Sequence, residues 1–253
     1  MTMLSVRSLY AGYGDIDVLW DVSFDIGEGE FFTVIGANGC GKTTLLRAAS
    51  AMLPYSGSIK LCGNEVSSLS RRQLGRLTSM LTQLSDAHFP FTVYDTVALG
   101  RYAHRSGLLS SLSSEDRKIT EEMLRRMDLY DIRDRLITEL SGGQLRRVFL
   151  ARTLAQEPKL VMLDEPTNHL DLKYQLSLLD YLQEWISDTG SSVLGVLHDL
   201  NIVRTYSHRV MIMSEGRNIL CGETSEALRS KELSEAYGVD IRAFMVDALE
   251  KWK

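Results

Sequence analysis

Cysteine and proline are scarce, with three cysteines and four prolines in 253 residues. Cys40, Cys62 and Cys221 form no CxxC pair and make an odd count. That excludes a disulfide framework or a thiolate metal site as the organising feature and leaves reduced thiols. No apolar run approaches the ~18 residues that a membrane helix needs. The N-terminus has no charged segment leading into an apolar one, so the expected location is the cytosol. An excess of positive charge is also missing. The formal net charge is −5, so bulk attraction to nucleic acid or anionic lipid is not encoded. Any membrane association would need a protein partner. What remains, 44% hydrophobic and 24% charged residues, describes one well-cored globular unit with room for an inserted subdomain.

One stretch stands out, Gly36-Ala37-Asn38-Gly39-Cys40-Gly41-Lys42-Thr43. It fits G-x-x-x-x-G-K-[ST], follows the apolar, strand-like residues 31–35 and precedes a helical pattern over 44–49. Glycines let the backbone curl so that successive N–H groups face inward around phosphates. The helix N-terminus adds its own free N–H groups and partial positive charge. Lys42 is expected to reach the β- and γ-phosphates as a point charge, and the Thr43 hydroxyl to take one position on Mg²⁺. A glycine turn beside a surface lysine is the bland alternative, which the strand before and the helix after weaken. Nucleotide binding is therefore the working reading. Gly36, Asn38, Gly39, Cys40, Gly41, Lys42, Thr43 and Thr44 would surround the phosphates. A bulky thiol reagent on Cys40 is expected to inhibit, with ATP protecting.

The rest of the chain supplies a context. Val18, Trp20, Val22, Phe24 and Ile26 are apolar in one phase and Asp21, Ser23 and Asp25 occupy the other, a strand with one wet face. Tyr13-Gly14 just before it is either a turn or a stacking platform for a base. Pro54 to Gly57 breaks the chain ahead of a short strand at 59–62, and 78–82 forms a buried strand ending at Gln83. Patterns to about residue 157 are mostly helical. Thr92 with Asp95 and Ser113 with Asp116 have capping-box spacing, the second ahead of a helix carrying Ile119, Met123 and Met127. Strand character returns at 160–163. An amphipathic helix with Leu172, Leu176, Leu179, Leu182 and Trp185 on one stripe stops at Gly190. Residues 193–197 form another buried strand, 209–213 and 218–221 a final pair, and short polar helices close the chain.

Two further patterns carry chemistry. Four apolar residues and then Asp164-Glu165 are what hydrolysis of a bound nucleotide requires downstream of a phosphate loop. Asp164 can hold Mg²⁺ through its water shell, and Glu165 can accept the proton of the attacking water. Alone, such an acidic pair is a solvated turn. In Leu140-Ser141-Gly142-Gly143-Gln144, Ser141 and Gln144 are spaced as a capping box that opens a helix running to about Gln156. Its two glycines make a second anion-binding surface. A chain with one phosphate loop does not need two such surfaces, so the economical reading pairs them across a dimer. In isolation, S-G-G-Q would be a linker.

Together and in this order, these residues resemble the ATP-binding subunit of the ABC (ATP-binding cassette) transporters over nearly the whole chain. The resemblance implies an α/β fold: a P-loop (RecA-like) core over 1–84 and 158–253 with a small antiparallel β part, and an inserted α-helical subdomain over 85–157. It makes Gln83 the Q-loop glutamine that contacts Mg²⁺ and water, and 140–144 the signature. Leu170-Asp171 matches the D-loop, His198 the switch histidine at the γ-phosphate, and Tyr13 the adenine-stacking aromatic. His169 is read as structural. The implied catalytic set is Glu165, His198 and Gln83, the metal set Thr43, Gln83 and Asp164, and the cofactors ATP and Mg²⁺. Asp171 joins Ser141, Gly142, Gly143 and Gln144 in the nucleotide-binding set.

The family implies two copies head to tail, each ATP held between one chain's P-loop and the other's Ser141-Gly142-Gly143 helix. Their separation drives transmembrane permease subunits served by an extracellular or periplasmic binding protein. The chain would sit peripherally on the inner face of the cell membrane, with no nucleic-acid partner. Residues 38–42, 167–171 and 197–201 look most like importers of iron–siderophore, haem or cobalamin. The alternative is a non-transport ABC ATPase acting on a soluble partner. Two departures from the family pattern stand out: Leu145-Arg146-Arg147 after the signature, and Thr82 rather than proline before Gln83.

Overall fold

Parallel strands with no wet face set the architecture. The computed structural model describes residues 1–82, 90–105, 111–168 and 170–251, so Gln83 and His169 lie outside the described residues. A hairpin of β1 (Thr2–Tyr13) and β2 (Ile16–Gly27) precedes β3 (Phe31–Ile35) and α1 (Lys42–Ala49). Next come β4 (Tyr55–Leu61), β5 (Asn64–Glu65), α2 (Arg71–Leu77) and β6 (Thr78–Leu81). Then follow α3 (Val93–Ala98), α4 (Ser114–Arg126) and α5 (Gly142–Ala155). The chain re-enters the sheet with β7 (Leu160–Asp164), α6 (Leu172–Thr189), β8 (Ser192–Val196), α7 (Leu200–Tyr206), β9 (Arg209–Ser214) and β10 (Arg217–Glu223). It closes with α8 (Thr224–Ala227), α9 (Lys231–Tyr237) and α10 (Ile241–Glu250).

One sheet has six strands in the order β10-β9-β3-β8-β7-β6 and the other four in the order β2-β1-β4-β5. The six-stranded sheet is parallel except for β10, and the four-stranded one is antiparallel. Every residue of β3, β7 and β8 is buried, as a sheet covered on both faces requires. Alternate residues serve opposite cores. Phe31 and Ile35 join the apolar residues of α3 to α6, whereas Phe32 and Val34 join α1 and the antiparallel sheet. Among the described residues no helix is long and apolar enough to cross a membrane.

Five local expectations need correcting. The alternation in β2 holds from Val22 to Ile26 but breaks at Asp21, which sits at φ 51° where the pairing with β1 shifts. The bulge turns Leu19 inward and leaves Trp20 39% exposed. The segment at 55–57 is not a break but the start of β4. Thr92 caps α3 by accepting from the Asp95 N–H, but Asp95 returns its carboxylate to the Thr92 hydroxyl and not to the backbone, so the box is half made. The stripe of α6 also fails at its start: Leu172 and Leu176 are exposed, and Leu178 and Ile186 join Leu179, Leu182 and Trp185 in the core. Finally, α10 is not simply polar, because Phe244 and Val246 are exposed on it.

The helical insert is pinned by a buried ion pair. Arg101 donates through Nε to Asp116 Oδ1 at 2.9 Å, and through Nη1 to Glu157 Oε2 and the Ala155 carbonyl, each at 2.7 Å. Asp116 also completes the α4 capping box with Ser113. Burial pushes the Asp116 carboxyl up, but its bonds from Ser113 and Arg101 outweigh that and bring it down to about 2. A carboxylate lowered in the folded state stabilises the fold above its unfolded value of roughly 4. That contribution, about 2 kcal/mol, is lost as pH falls towards 2. Arg101→Met is expected to cost about 3 kcal/mol near neutral pH and to flatten part of the acid loss. Urea unfolding of both proteins across that pH range checks it; an unchanged acid slope would place the effect elsewhere.

Candidate nucleotide-binding site

Register places the site. Val196 of β8 is in register with Val34 of β3 on one side and with Asp164 of β7 on the other. The three strands therefore end at one level, which brings Gly36, His198 and Glu165 to one edge of the sheet. A cleft of about 590 Å³ opens there, lined by Asn38, Gly39, Gly41, Lys42, Thr43, Thr44, Glu165, Asn168, His198 and Val18 of β2.

The phosphate loop is folded as its glycines dictate. Gly36 sits at φ 150°, and a Cβ there would lie 2.2 Å from the Met213 carbonyl oxygen, so no larger residue fits. Gly41, at φ 104°, is the N-cap of α1 and offers no side-chain cap, which leaves first-turn N–H groups for an anion. The Lys42 side chain is buried and folds back along the loop, donating to the carbonyls of Gly36 at 2.9 Å and Ala37 at 2.8 Å. These bonds hold its charge in the cleft. Cys40 turns its thiol, 6% exposed, towards the core beneath the loop, where Lys42 Nζ donates to its Sγ at 3.8 Å. Burial pushes its pKa up, and Lys42 opposes the rise. The thiol is not among the groups that line the cleft, so the labelling expected above is disfavoured from that side.

Across the cleft, the Thr43 hydroxyl donates to Asp164 Oδ1 at 3.2 Å. Asp164 is 1% exposed, and its Oδ2 is buried without a hydrogen-bond partner. Burial raises its pKa, against the Thr43 bond, and neighbouring Glu165 adds to the rise. An orphaned carboxylate oxygen beside a threonine hydroxyl suits a divalent cation. Among the described residues no group of three or more His, Cys, Asp or Glu side chains surrounds it. Phosphate oxygens and water would complete the shell, the usual habit of Mg²⁺.

Glu165 has the left-handed backbone at φ 52°, a strained conformation for a side-chain-bearing residue. Both of its carboxylate oxygens are engaged. His198 Nε2 lies 2.5 Å from Oε1, and Asn168 Nδ2 donates to Oε2 at 2.6 Å. The histidine and the acid thus meet although 33 residues separate them. Asn168 figured in the sequence only as part of the stretch 167–171, with no role of its own; three residues after Glu165, its N–H closes a turn on the Glu165 carbonyl at 3.3 Å.

The remaining expected residues lie around the cleft and not in it. Tyr13 is 42% exposed, and its hydroxyl accepts from Arg47 of α1 at 3.0 Å, so it stands beside the phosphate-loop helix. Ser141 and Gln144 form the capping box of α5, and none of 141–144 lines the cleft. Asp171 is the N-cap of α6, accepting from the Tyr174 N–H at 3.1 Å.

Residues 19–168 match the family model described as ABC transporter. The chain is 35% identical over 243 residues to an uncharacterized ABC transporter ATP-binding protein, YvrA, of Bacillus subtilis (strain 168), but spans only 55% of that relative's length. It is 35% identical to the iron(3+)-hydroxamate import ATP-binding protein FhuC of the same organism, covering 95% of this chain and 89% of the relative. A hemin import ATP-binding protein of Jannaschia sp. (strain CCS1) is 34% identical over 95% of this chain and 89% of its own. Among solved structures, the dimeric ATP-binding cassette MJ0796, bound to ADP and Pi in a post-hydrolysis state, superposes with a TM-score of 0.78 at 25% identity, over 88% of this chain and 99% of that one. The motifs, the fold and the matched residues agree: the chain belongs to the ABC transporter family, as one of its ATP-binding and ATP-hydrolysing subunits.

Proposed function

We propose that the chain is the ATP-hydrolysing motor of an importer, a homodimer that binds two ATP at its interface and drives uptake through a separate permease. The substrate class would be an iron chelate, haem or cobalamin. The observation that carries the reading is the meeting of Lys42, Thr43, Glu165 and His198 on one cleft, with Asp164 bonded to Thr43 at its edge, a cleft that Ser141, Gly142 and Gly143 do not line. A half-site of this kind lacks its second anion-binding surface, and a second copy would bring it. The import relatives support the substrate class, and the dimeric cassette supports the pairing.

In this mechanism Lys42 exchanges the Gly36 and Ala37 carbonyls for β- and γ-phosphate oxygens, a swap of hydrogen bonds with small net cost. The loop N–H groups and the α1 N-terminus take the remaining phosphate charge. Thr43, Asp164 and Gln83 would hold Mg²⁺, whose charge would offset that of the phosphates. Tyr13 would stack on the adenine, and Asp171, the N-cap of α6, would join the nucleotide-binding set. Glu165 accepts the proton of the attacking water through a lone pair that His198 and Asn168 leave open, since each carboxylate oxygen can accept two hydrogen bonds. His198 then turns to the γ-phosphate. The helical insert over 85–157 forms the subdomain that carries the signature, and the core over 1–84 and 158–253 holds the nucleotide. The subunit would work on the inner face of the cell membrane, held there by the permease, with substrate delivered by an external binding protein.

Glu165→Gln is expected to bind ATP normally and lose hydrolysis by at least about a hundredfold, leaving a stable dimer in size-exclusion chromatography with Mg²⁺ and ATP. A monomer under those conditions rejects the interface model. Lys42→Ala should weaken ATP binding roughly tenfold or more, the worth of a charge-assisted bond, by equilibrium titration. For the transport role, the chain should co-purify with a polytopic membrane protein. ATPase activity of the reconstituted complex should rise with a binding protein loaded with ferric siderophore, haem or cobalamin. Recovery with soluble partners alone would favour the non-transport alternative.

A further inference from the structure

Arg146 is a buried cation aimed at backbone and not at an acidic side chain. It lies in the second turn of α5, is 3% exposed, and directs its guanidinium at three successive backbone carbonyls. Nη2 donates to the Asp164 carbonyl at 3.0 Å and also to that of Glu165, and Nε reaches the Pro166 carbonyl at 3.5 Å. Burial works against the charge, and the Asp164 and Glu165 carboxylates offset only part of that loss. Its neighbour Arg147 turns elsewhere, to the Met127 and Asp128 carbonyls and the Tyr174 ring.

An arginine buried only to fill space is a poor choice, since desolvating it costs several kcal/mol and an apolar residue of like size would pack as well. Its planar fork of donors does something an apolar side chain cannot: it specifies a backbone path. The path held here is the one with Glu165 in the left-handed region at φ 52°, a conformation that costs on the order of 1 kcal/mol and needs outside support. The side chain of Glu165 is set by His198 and Asn168, and its backbone N–H donates to the Val196 carbonyl. Its carbonyl accepts from the Asn168 N–H and from Arg146, whose side chain also spans the Asp164 and Pro166 carbonyls. Arg146 also sits about a turn and a half along the helix from Ser141. One rigid segment therefore carries both the surface offered to a partner copy and the grip on the catalytic loop.

We propose that Arg146 is a positioning residue for hydrolysis, holding the 164–166 backbone so that Glu165 meets the attacking water from the correct place. This rests on the role given to Glu165 above. The full chain with saturating Mg²⁺ and ATP provides the test. Arg146→Lys keeps the charge and the stem but cannot span three carbonyls. Its kcat is expected to fall roughly ten- to a hundredfold, with half-saturating ATP changed less than about threefold. In the Glu165→Gln background the same substitution should lower the residual rate no further, because the group it positions has lost its function. Arg146→Gln repeats the cycle should the lysine variant not fold. The proposal is overturned by an unchanged kcat in a folded variant, by equal losses in both backgrounds, or by failure of both variants to fold, which would make Arg146 a core strut. If Glu165→Gln itself hydrolyses ATP at the full rate, the Glu165 role fails instead, a result distinct from any of these.

Discussion

The common level at which β3, β8 and β7 end is the constraint on which the rest depends. Val34 and Asp164 both stand in register with Val196, so the phosphate loop, the histidine and the acidic pair emerge side by side. A slip of one residue in either pairing would move one strand end by about 3.3 Å and turn its side chains to the other face. The apolar residues prevent that slip. Phe31 and Ile35 are committed to the helical core, and Phe32 and Val34 to the core beneath the antiparallel sheet. Packing on two faces thereby fixes the position of polar atoms at the strand ends, and a site of separated residues inherits the precision of the sheet.

Charge within the cleft is held in bonds that a nucleotide can replace. Lys42 rests on two carbonyls, Asp164 takes the Thr43 hydroxyl on one oxygen and leaves the other without a partner, and Glu165 lies between His198 and Asn168. Each interaction exchanges one partner for another and does not need to be created from exposed, solvated groups, which keeps the net cost of binding small. The exception is the unpaired Asp164 oxygen. Its burial disfavours the ionised form, and a bound cation would reverse that preference.

Some of this was legible in the chain itself. The phosphate loop, the acidic pair and the Ser141–Gln144 box are contiguous, and their geometry depends on glycine conformations and caps that act within a few residues. The continuous apolar runs of β3, β7 and β8 were legible as well, because a strand covered on both faces needs apolar residues at successive positions. Misreadings arose where a tertiary neighbour overrode a local pattern. The bulge at Asp21 exchanged Trp20 for Leu19, and the first turn of α6 turned Leu172 and Leu176 outward. Cys40 follows the loop in sequence but the core in space. Asn168 and Arg146 stood only inside the stretches 167–171 and 145–147, with no sign of their contacts, because their partners are single atoms of the Glu165 segment.

The amino-acid order by itself determined that a phosphate-binding loop is present, that an acidic pair follows a buried strand, and that a capped glycine helix lies between them. Each is a property of backbone conformation over a handful of consecutive residues. Only the tertiary structure decided that His198 touches Glu165, that Thr43 reaches Asp164, that Lys42 waits on its own loop and that Arg146 grips the 164–166 backbone. Those pairings join residues on different elements, and their distances follow from sheet order and strand register, which cooperative packing of the whole core establishes.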